Sequence, residues 1–145
     1  MADIVDTLND LIARCRESEA GFGEAGEYCR NARLRDRLTE ISRQRGEFAL
    51  ELAGYVSKLN GVPASGRRKR PRADCWPEFD ESLRSGGDVA LISACIAGGE
   101  VTLHAYEIAL TQDLPVAVRP VVDRQRLAVQ ETILELRNVQ MVRTA

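Results

Sequence analysis

Apolar residues recur along four segments of the chain at alternating steps of four and three, the spacing of a buried helix face, here called the seam. The second segment shows this best, because seven of its eight seam positions are apolar or aromatic and only Arg45 is not. The pattern predicts α-helices over about 3–29, 34–59, 88–111 and 116–142. The seam of the second helix consists of Leu34, Leu38, Ile41, Arg45, Phe48, Leu52, Tyr55 and Leu59.

The connections between these helices differ in length. Short turns at Asn31–Ala32 and Asp113–Pro115 make antiparallel neighbours of the helices that they join. Residues 64–87 form a long crossover with a predicted short helix near 76–83, after which Asp88 is expected to cap the third helix. The sequence therefore predicts an all-α, antiparallel four-helix bundle of ferritin-like plan, with its long connection between helices 2 and 3.

Bulk composition narrows the class of protein. A chain of 145 residues with 44% hydrophobic and 29% charged residues forms one folded domain. The net charge of −2 does not favour nucleic acid or acidic membranes as partners. No uninterrupted apolar run reaches membrane-spanning length, and the acidic start of the chain is not a secretory signal. A soluble cytoplasmic protein is expected.

Four cysteines are present without a CxxC pair or metal-ligand spacing. Cys15 and Cys29 share one seam but lie roughly 21 Å apart along a helix, too far for a disulfide. Cys15, Cys29 and Cys95 are therefore expected to be buried, free thiols in a reducing compartment.

Each seam is interrupted near its middle by polar or small residues. Because these interruptions lie at similar distances from the shared turns, antiparallel pairing predicts one polar layer at mid-bundle height. Its predicted members are Ser18, Glu19, Arg45, Glu100 with its neighbour Gly99, and Gln125.

This predicted layer lies where ferritin-like proteins hold two metal ions with glutamates and two Glu-x-x-His motifs. Neither motif occurs here, and a guanidinium cannot bind a cation. The sequence therefore predicts that Arg45 neutralises Glu19 and Glu100, and that the site holds no cofactor. The alternative is a residual mono- or dinuclear metal ion held by Glu19, Glu100 and the single histidine, His104.

A basic run in the crossover is a further candidate site. It is expected to be a solvated loop, with polyanion binding as the alternative. No aromatic residue lies within it to stack on bases, so nucleic acid is not expected as a partner. No nucleophile motif or phosphate loop indicates catalysis. The basic residues are Arg67, Arg68, Lys69, Arg70 and Arg72.

Several stretches resemble a bacterial family of ferritin-like four-helix bundles whose function is unknown. They include Leu8–Ile12, Glu19–Phe22, Leu59–Pro63, Ala105–Leu110 and, most clearly, Asp113–Pro115 with Val118–Gln125. The resemblance implies the ferritin-like fold but no activity that can be transferred. A histidine expected in the fourth helix is Ile133 here, which weakens a metal site further. Related bundles suggest a link to stress responses by association only.

The first functional hypothesis is a non-catalytic bundle that acts by self-association, as a homodimer, or by binding a protein partner not identified by the sequence. Gly21, Gly23 and Gly26 of the first helix predict close approach by another helix. The glycine-rich helix faces and the segment Trp76–Leu83 are the expected contact surfaces. The alternatives are the degenerate metal protein and the polyanion-binding protein described above.

Overall fold

The computed structural model describes residues 2–65, 76 and 85–144 of the chain. The regular secondary structure in these residues consists of four helices, and no strand occurs among them. The predicted all-α bundle is thus confirmed. The helices are α1 (Ala2–Tyr28), α2 (Ala32–Lys58), α3 (Gly87–Leu110) and α4 (Arg119–Thr144).

The hydrogen bonds between α1 and α3 show that these helices are antiparallel. Cys15 of α1 meets Tyr106 of α3 at 3.1 Å, and Ser18, further along α1, meets the earlier residue Thr102 at 3.0 Å. Helix α2 is also antiparallel to α1, because only the three residues 29–31 join them. Helices α2 and α3 therefore run in the same direction, and the connection between them must cross the length of the bundle.

Helix α4 completes the bundle as the antiparallel neighbour of α2. The ion pairs Arg37–Glu135 at 2.8 Å and Glu51–Arg124 at 2.5 Å join the two helices in opposite sequence order. Each helix therefore has two antiparallel neighbours. This arrangement places the mid-sections of all four helices around one interior.

The described part of the crossover is anchored near one end of α1. The side-chain amide of Asn9 donates to the carbonyl of Val62 at 3.0 Å, and its oxygen accepts from the backbone N–H of Ala64 at 2.8 Å. Further along, Trp76 is 1% exposed and packs edge-on against Phe22 with ring centroids 5.1 Å apart. Trp76 thus lies in the groove between α1 and α3 at mid-height.

Two glycines form the surface on which the Trp76 indole packs, here called its bed. A Cβ on Gly21 of α1 or on Gly98 of α3 would come closer than 3.0 Å to the indole ring. The prediction of close approach at the glycines of α1 holds for Gly23 and Gly26, which face Ser42 and Thr39 of α2. The glycine faces at Trp76 are filled from within the chain, so they are not free contact surfaces as the sequence suggested.

Asp88 does not cap the helix on which it lies, which corrects the sequence-based expectation. The N-cap position of α3 is Gly86, and it makes no side-chain cap. The Asp88 carboxylate instead accepts the backbone N–H groups of Arg30 at 2.8 Å and Asn31 at 3.0 Å. It therefore satisfies the turn between α1 and α2, where Asn31 caps α2 by accepting from the Leu34 N–H at 2.9 Å.

Helix α3 is apolar on more sides than its neighbours. Its 24 residues have a stretch of mean hydropathy 1.4, so by length and composition alone the helix could cross a membrane. Counting only uninterrupted apolar runs therefore understated how hydrophobic this helix is. Half of that stretch is buried in the bundle. Because α3 packs against α1, α4 and Trp76, a core position accounts for the same composition.

The predicted short helix near 76–83 lies outside the described residues, except for Trp76. The described cysteines Cys15, Cys29 and Cys95 are buried and free, as the sequence predicted, while Cys75 lies outside the described residues.

Candidate functional site

Arg45 lies in the interior of the bundle at mid-height. It is 1% exposed, and its guanidinium donates to Thr132 Oγ1 at 3.1 Å and to the side-chain oxygen of Gln44. The same group lies over the rings of Phe22 and Phe48, 5.8 and 5.5 Å from their centroids. A charged group therefore stands among neutral partners where the ferritin-like plan places metal ligands.

The charge of Arg45 has no carboxylate partner among the residues that the structure describes. Burial lowers the pKa of the guanidinium, because desolvation disfavours the charged form. An arginine nevertheless remains protonated at neutral pH. Two ring faces and two neutral oxygens stabilise the cation, each by a modest amount.

A second group of hydrogen-bonded polar residues, here called the second polar level, lies next to Arg45 and joins all four helices. Cys15 Sγ lies 3.1 Å from the Tyr106 hydroxyl, which donates to Gln125 Oε1 at 2.6 Å. The Gln125 amide donates to the Phe48 carbonyl at 3.4 Å and to Glu51 Oε1 at 2.8 Å. This chain of contacts leads from the buried thiol to a carboxylate near the surface.

Burial determines the protonation states of Cys15 and Tyr106 in this second polar level. Desolvation raises the pKa of the Cys15 thiol from 9.0 to about 11, and it raises the pKa of the Tyr106 phenol well above 10.0. Both groups are therefore neutral at physiological pH, so neither is a ready nucleophile or base. The hydrogen bonds of this second polar level can hold the helices in register, but its groups are poorly suited to proton transfer.

Ser18 shares the height of Arg45 but contacts a different helix. Its hydroxyl lies 3.0 Å from that of Thr102, which donates to the Gly98 carbonyl at 3.1 Å. Ser18 and Gln125 are both fully buried. Three predicted members of the polar layer, Ser18, Arg45 and Gln125, thus lie in the interior, but in separate hydrogen-bonded groups.

Glu19 and Glu100 are not in the interior, which corrects the predicted ion-pair layer. The side chain of Glu19 is 37% exposed and pairs with Arg16 at 2.9 Å. The side chain of Glu100 is 49% exposed and pairs with Arg137 of α4 at 2.5 Å. Neither carboxylate neutralises Arg45.

Both glutamates lie one residue beyond an inner position. Gly99 and Ser18 are buried, so Glu100 and Glu19 are turned by about 100° around their helices toward the surface. On α3 the next inner residue is Thr102, at 2% exposed, whereas Leu103 is only partly buried. A helix packed on several sides has no single narrow apolar face, so its inner positions are hard to locate from sequence.

Sequence reasoning also missed several polar residues of the interior. Thr132 was not recognised as a partner of Arg45, Thr102 was not considered, and Cys15 was expected only as a buried thiol. Glu17 is also buried, at 4% exposed, and lies four residues before Gly21 on the same side of α1.

His104 is exposed on α3, one helical turn after Glu100. It lines an open groove of about 340 Å³ between α1 and α3, together with Asp6 and Asp10. Glu19 and Glu100 are not among the residues that line this groove. Within the described ranges no group of three or more histidine, cysteine, aspartate or glutamate side chains is placed to hold a metal ion. The set Glu19, Glu100 and His104 is therefore not assembled.

The basic run from Arg67 to Arg72 lies outside the described residues. The alternative of polyanion binding through this run therefore stays a prediction, and so does the expected role of the segment after Trp76 as a contact surface.

Comparisons with known proteins agree with this architecture. The family model described as "Domain of unknown function (DUF2383)" matches residues 3–112. The match ends before Asp113–Gln125, so the part of the resemblance that looked clearest in the sequence lies beyond it. No curated protein matches the chain significantly.

Two solved structures share the fold. A Rhodobacter capsulatus bacterioferritin, described as having a metal-free dinuclear site and heme iron, is 14% identical with a TM-score of 0.81, covering 98% of this chain and 86% of its own. A Desulfovibrio desulfuricans bacterioferritin with a diiron site is 13% identical with a TM-score of 0.59, covering 97% and 79%. At this identity the likeness concerns the fold alone. The diiron centre does not fit the residues described here, because Arg45 occupies the interior, Glu19 and Glu100 lie at the surface, and no three potential ligands come together.

Proposed function

We propose, from the premise that this chain belongs to the DUF2383 family of unknown function, that it is a ferritin-like bundle that acts through its surface. It associates with itself or with a protein partner and does not work through a resident di-metal centre. The observation that carries this proposal is the buried guanidinium of Arg45, 1% exposed between two phenyl rings at mid-bundle.

Electrostatics support the proposal. A divalent cation in the interior would stand beside a fixed positive charge, and at such short range in a medium of low dielectric the repulsion is large. Oxygen and imidazole ligands would be needed to offset it. Around Arg45 the interior supplies hydroxyl groups, amides and the Cys15 thiol, which burial keeps protonated with a pKa of about 11.

The polar interior supports a structural rather than a catalytic role. The contacts from Cys15 through Tyr106 and Gln125 to Glu51 satisfy their groups and join four helices. Fully satisfied buried networks rigidify a core. A rigid core leaves the outer helix faces as the parts of this protein that can act on something else.

The proposed location is the cytoplasm, as a soluble protein. The free, buried thiols of Cys15, Cys29 and Cys95 support a reducing compartment. A role in a stress response is proposed by analogy with the ferritin-like fold alone.

Metal analysis tests the proposal. The full chain is purified without chelator, and its iron, zinc and manganese are measured beside those of Glu100→Gln, which removes one carboxylate of the alternative ligand set. We expect both proteins to carry only substoichiometric metal, before and after incubation with Fe²⁺ under anaerobic conditions. Stoichiometric metal in the wild-type protein would overturn the proposal, and its loss in Glu100→Gln would establish the alternative site.

A further inference from the structure

Helix α4 has a second apolar stripe on the side that faces solvent. Leu127, Leu134 and Met141 are 47%, 58% and 68% exposed and follow one another at seven-residue steps. Seven residues are close to two helical turns, so these side chains form a line along the helix. The inner face of the same helix is fully occupied, since Gln125, Val129, Thr132 and Leu136 are at most 3% exposed.

This outer stripe, defined as Leu127, Leu134 and Met141, is unusual for a helix at the edge of a bundle. A surface helix normally carries charged and polar residues on the face opposite its core. Single exposed apolar residues such as Leu50 on α2 and Ile108 on α3 need no explanation. Three apolar residues at heptad spacing supply one of the two positions per heptad by which a helix packs along a second helix, while the other position is polar here.

We propose that the outer stripe is the self-association surface of the protein, where α4 of one copy packs in parallel with α4 of a second copy. The inference rests on the proposed function and assigns its surface. In this arrangement each stripe residue meets its own equivalent across a two-fold axis parallel to the helices, so that Leu134 lies against Leu134 of the second copy.

The charges beside the outer stripe favour a second copy as the occupant. One flank carries Arg124 and Glu131, and the other carries Asp123, Arg126 and Arg137. In a parallel two-fold pair, opposite flanks face each other, which brings Glu131 near the two arginines of the second copy. Arg124 likewise comes near Asp123 of that copy. In an antiparallel pair each flank would face itself, and the arginines would oppose one another.

Of the charged groups on these flanks, Glu131 is the one to which the parallel arrangement supplies ion-pair partners. Asp123 pairs with Arg126, Arg124 with Glu51, and Arg137 with Glu100. Glu131 has no ion pair within the part of its own chain that the structure describes. Arg126 and Arg137 of a second copy would lie within one to two turns of it along the helix.

The first test measures the oligomeric state of the full chain by sedimentation velocity over a range of concentrations. We expect wild type to form a dimer and Leu134→Arg to be monomeric, because the substitution buries two arginines against each other at the two-fold axis. Leu50→Arg, at an isolated exposed leucine on α2, is the matched control and should remain a dimer. Helical content by circular dichroism verifies that each variant is folded.

The second test determines the orientation. Met141→Cys should cross-link to itself under mild oxidation, because parallel helices bring position 141 of both copies together. In an antiparallel pair centred on Leu134 the two positions would be roughly 20 Å apart and could not form a disulfide. Cross-linking of Leu134→Cys without cross-linking of Met141→Cys would overturn the parallel arrangement.

The outcomes separate this inference from the proposed function. A wild-type dimer that Leu134→Arg leaves intact overturns the assignment of the outer stripe but leaves self-association standing. Monomeric wild type at every concentration overturns the assignment and removes self-association, so the proposed function would then require a different protein partner.

Discussion

Arg45 introduces a full positive charge into an interior whose neighbouring groups are neutral. Desolvating an ion costs several kcal/mol in real proteins, and only good geometry with an opposite charge repays that cost. Here the compensation comes from Thr132, Gln44 and two phenyl rings. Burial of this charge is therefore not expected to stabilise the fold, and under the proposed function its role is to keep other cations out of the interior.

Replacing Arg45 by methionine should leave the free energy of unfolding unchanged or raise it by up to about 3 kcal/mol. Methionine fills a similar volume without the desolvation cost of a charge. Thr132 keeps its hydrogen bond to the Ala128 carbonyl at 3.0 Å, so no buried hydroxyl loses its only partner. Urea denaturation measures the change.

The matched control for this substitution is Arg43→Met, two residues away on the exposed side of α2. Arg43 makes surface ion pairs with Glu40 and Glu47, and its loss should change stability by less than about 1 kcal/mol. A loss of about 3 kcal/mol or more in Arg45→Met would mean that a buried anion balances the guanidinium, contrary to the contacts described above.

At the residue scale, sequence reasoning succeeded where a helix has one narrow apolar face. The steps along α2 placed Arg45 inside a bundle because seven seam neighbours were apolar or aromatic. The same reasoning failed for Glu100, because that residue follows the buried Gly99 and one position moves a side chain by about 100° around the helix. Glu19 failed similarly, since Ser18 beside it holds the inner position.

Among the elements, the crossover depends on one aromatic residue. Trp76 lies on Gly21 and Gly98 and meets the edge of Phe22, so it contacts α1 and α3 together. Sequence alone indicated a long connection and a lone tryptophan, but not where the indole would lie. The glycines were correctly recognised as sites of close approach, while the approaching group at Gly21 was taken for a helix.

The substitution Gly98→Ala should destabilise the protein by about 1–3 kcal/mol. The added methyl group would come closer than 3.0 Å to the indole, so Trp76 must move or leave its bed. The free energy of unfolding and the emission wavelength of this single tryptophan report the change together, with a shift to longer wavelength expected as the indole becomes hydrated.

The control for Gly98→Ala is Gly54→Ala on α2, where an added Cβ would meet nothing within 4 Å. Alanine there should raise stability by about 0.4–1 kcal/mol, because it lowers the conformational entropy of the unfolded chain and favours the helix. Equal effects of the two substitutions, or unchanged tryptophan emission in Gly98→Ala, would contradict the placement of Trp76.

For the molecule as a whole, the buried acids make stability depend on pH in the alkaline range. The Cys15 thiol has a pKa of 9.0 in the unfolded chain and about 11 in the folded one. Between these values the unfolded state binds fewer protons, so stability is full below about pH 9 and falls as pH rises through 11. Two pKa units correspond to a loss of roughly 2–3 kcal/mol.

Urea denaturation between pH 8 and 11, with reductant present, should therefore show a falling free energy of unfolding that is less steep in Cys15→Ala. Only the slope is compared, since the variant also loses packing at every pH. Part of the decline should remain, because burial also raises the pKa of Tyr106 and of Cys95. An unchanged slope would show that the Cys15 thiol is not the buried group that the structure describes.

The fold as a whole was the most predictable property of the chain. Four long segments with helical spacing of apolar residues, joined by two short connections and one long one, allow few packings. The ferritin-like plan is one of them. The chemistry was less predictable, since it depends on one-residue differences in which side chain faces inward. The outer stripe on α4 was visible as heptad spacing but was hidden by the stronger inner pattern of the same helix.

The shared direction of α2 and α3 has a consequence for how the chain reaches this structure. Both short connections, residues 29–31 and 111–118, lie inside helical hairpins, α1–α2 and α3–α4. The two helices of each hairpin are neighbours in sequence and can meet rapidly. Contacts between the hairpins, such as Cys15 with Tyr106, must close loops as long as 91 residues. We expect the hairpins to form early and to dock later, and Trp76 to be seated last, because its bed takes one glycine from each half.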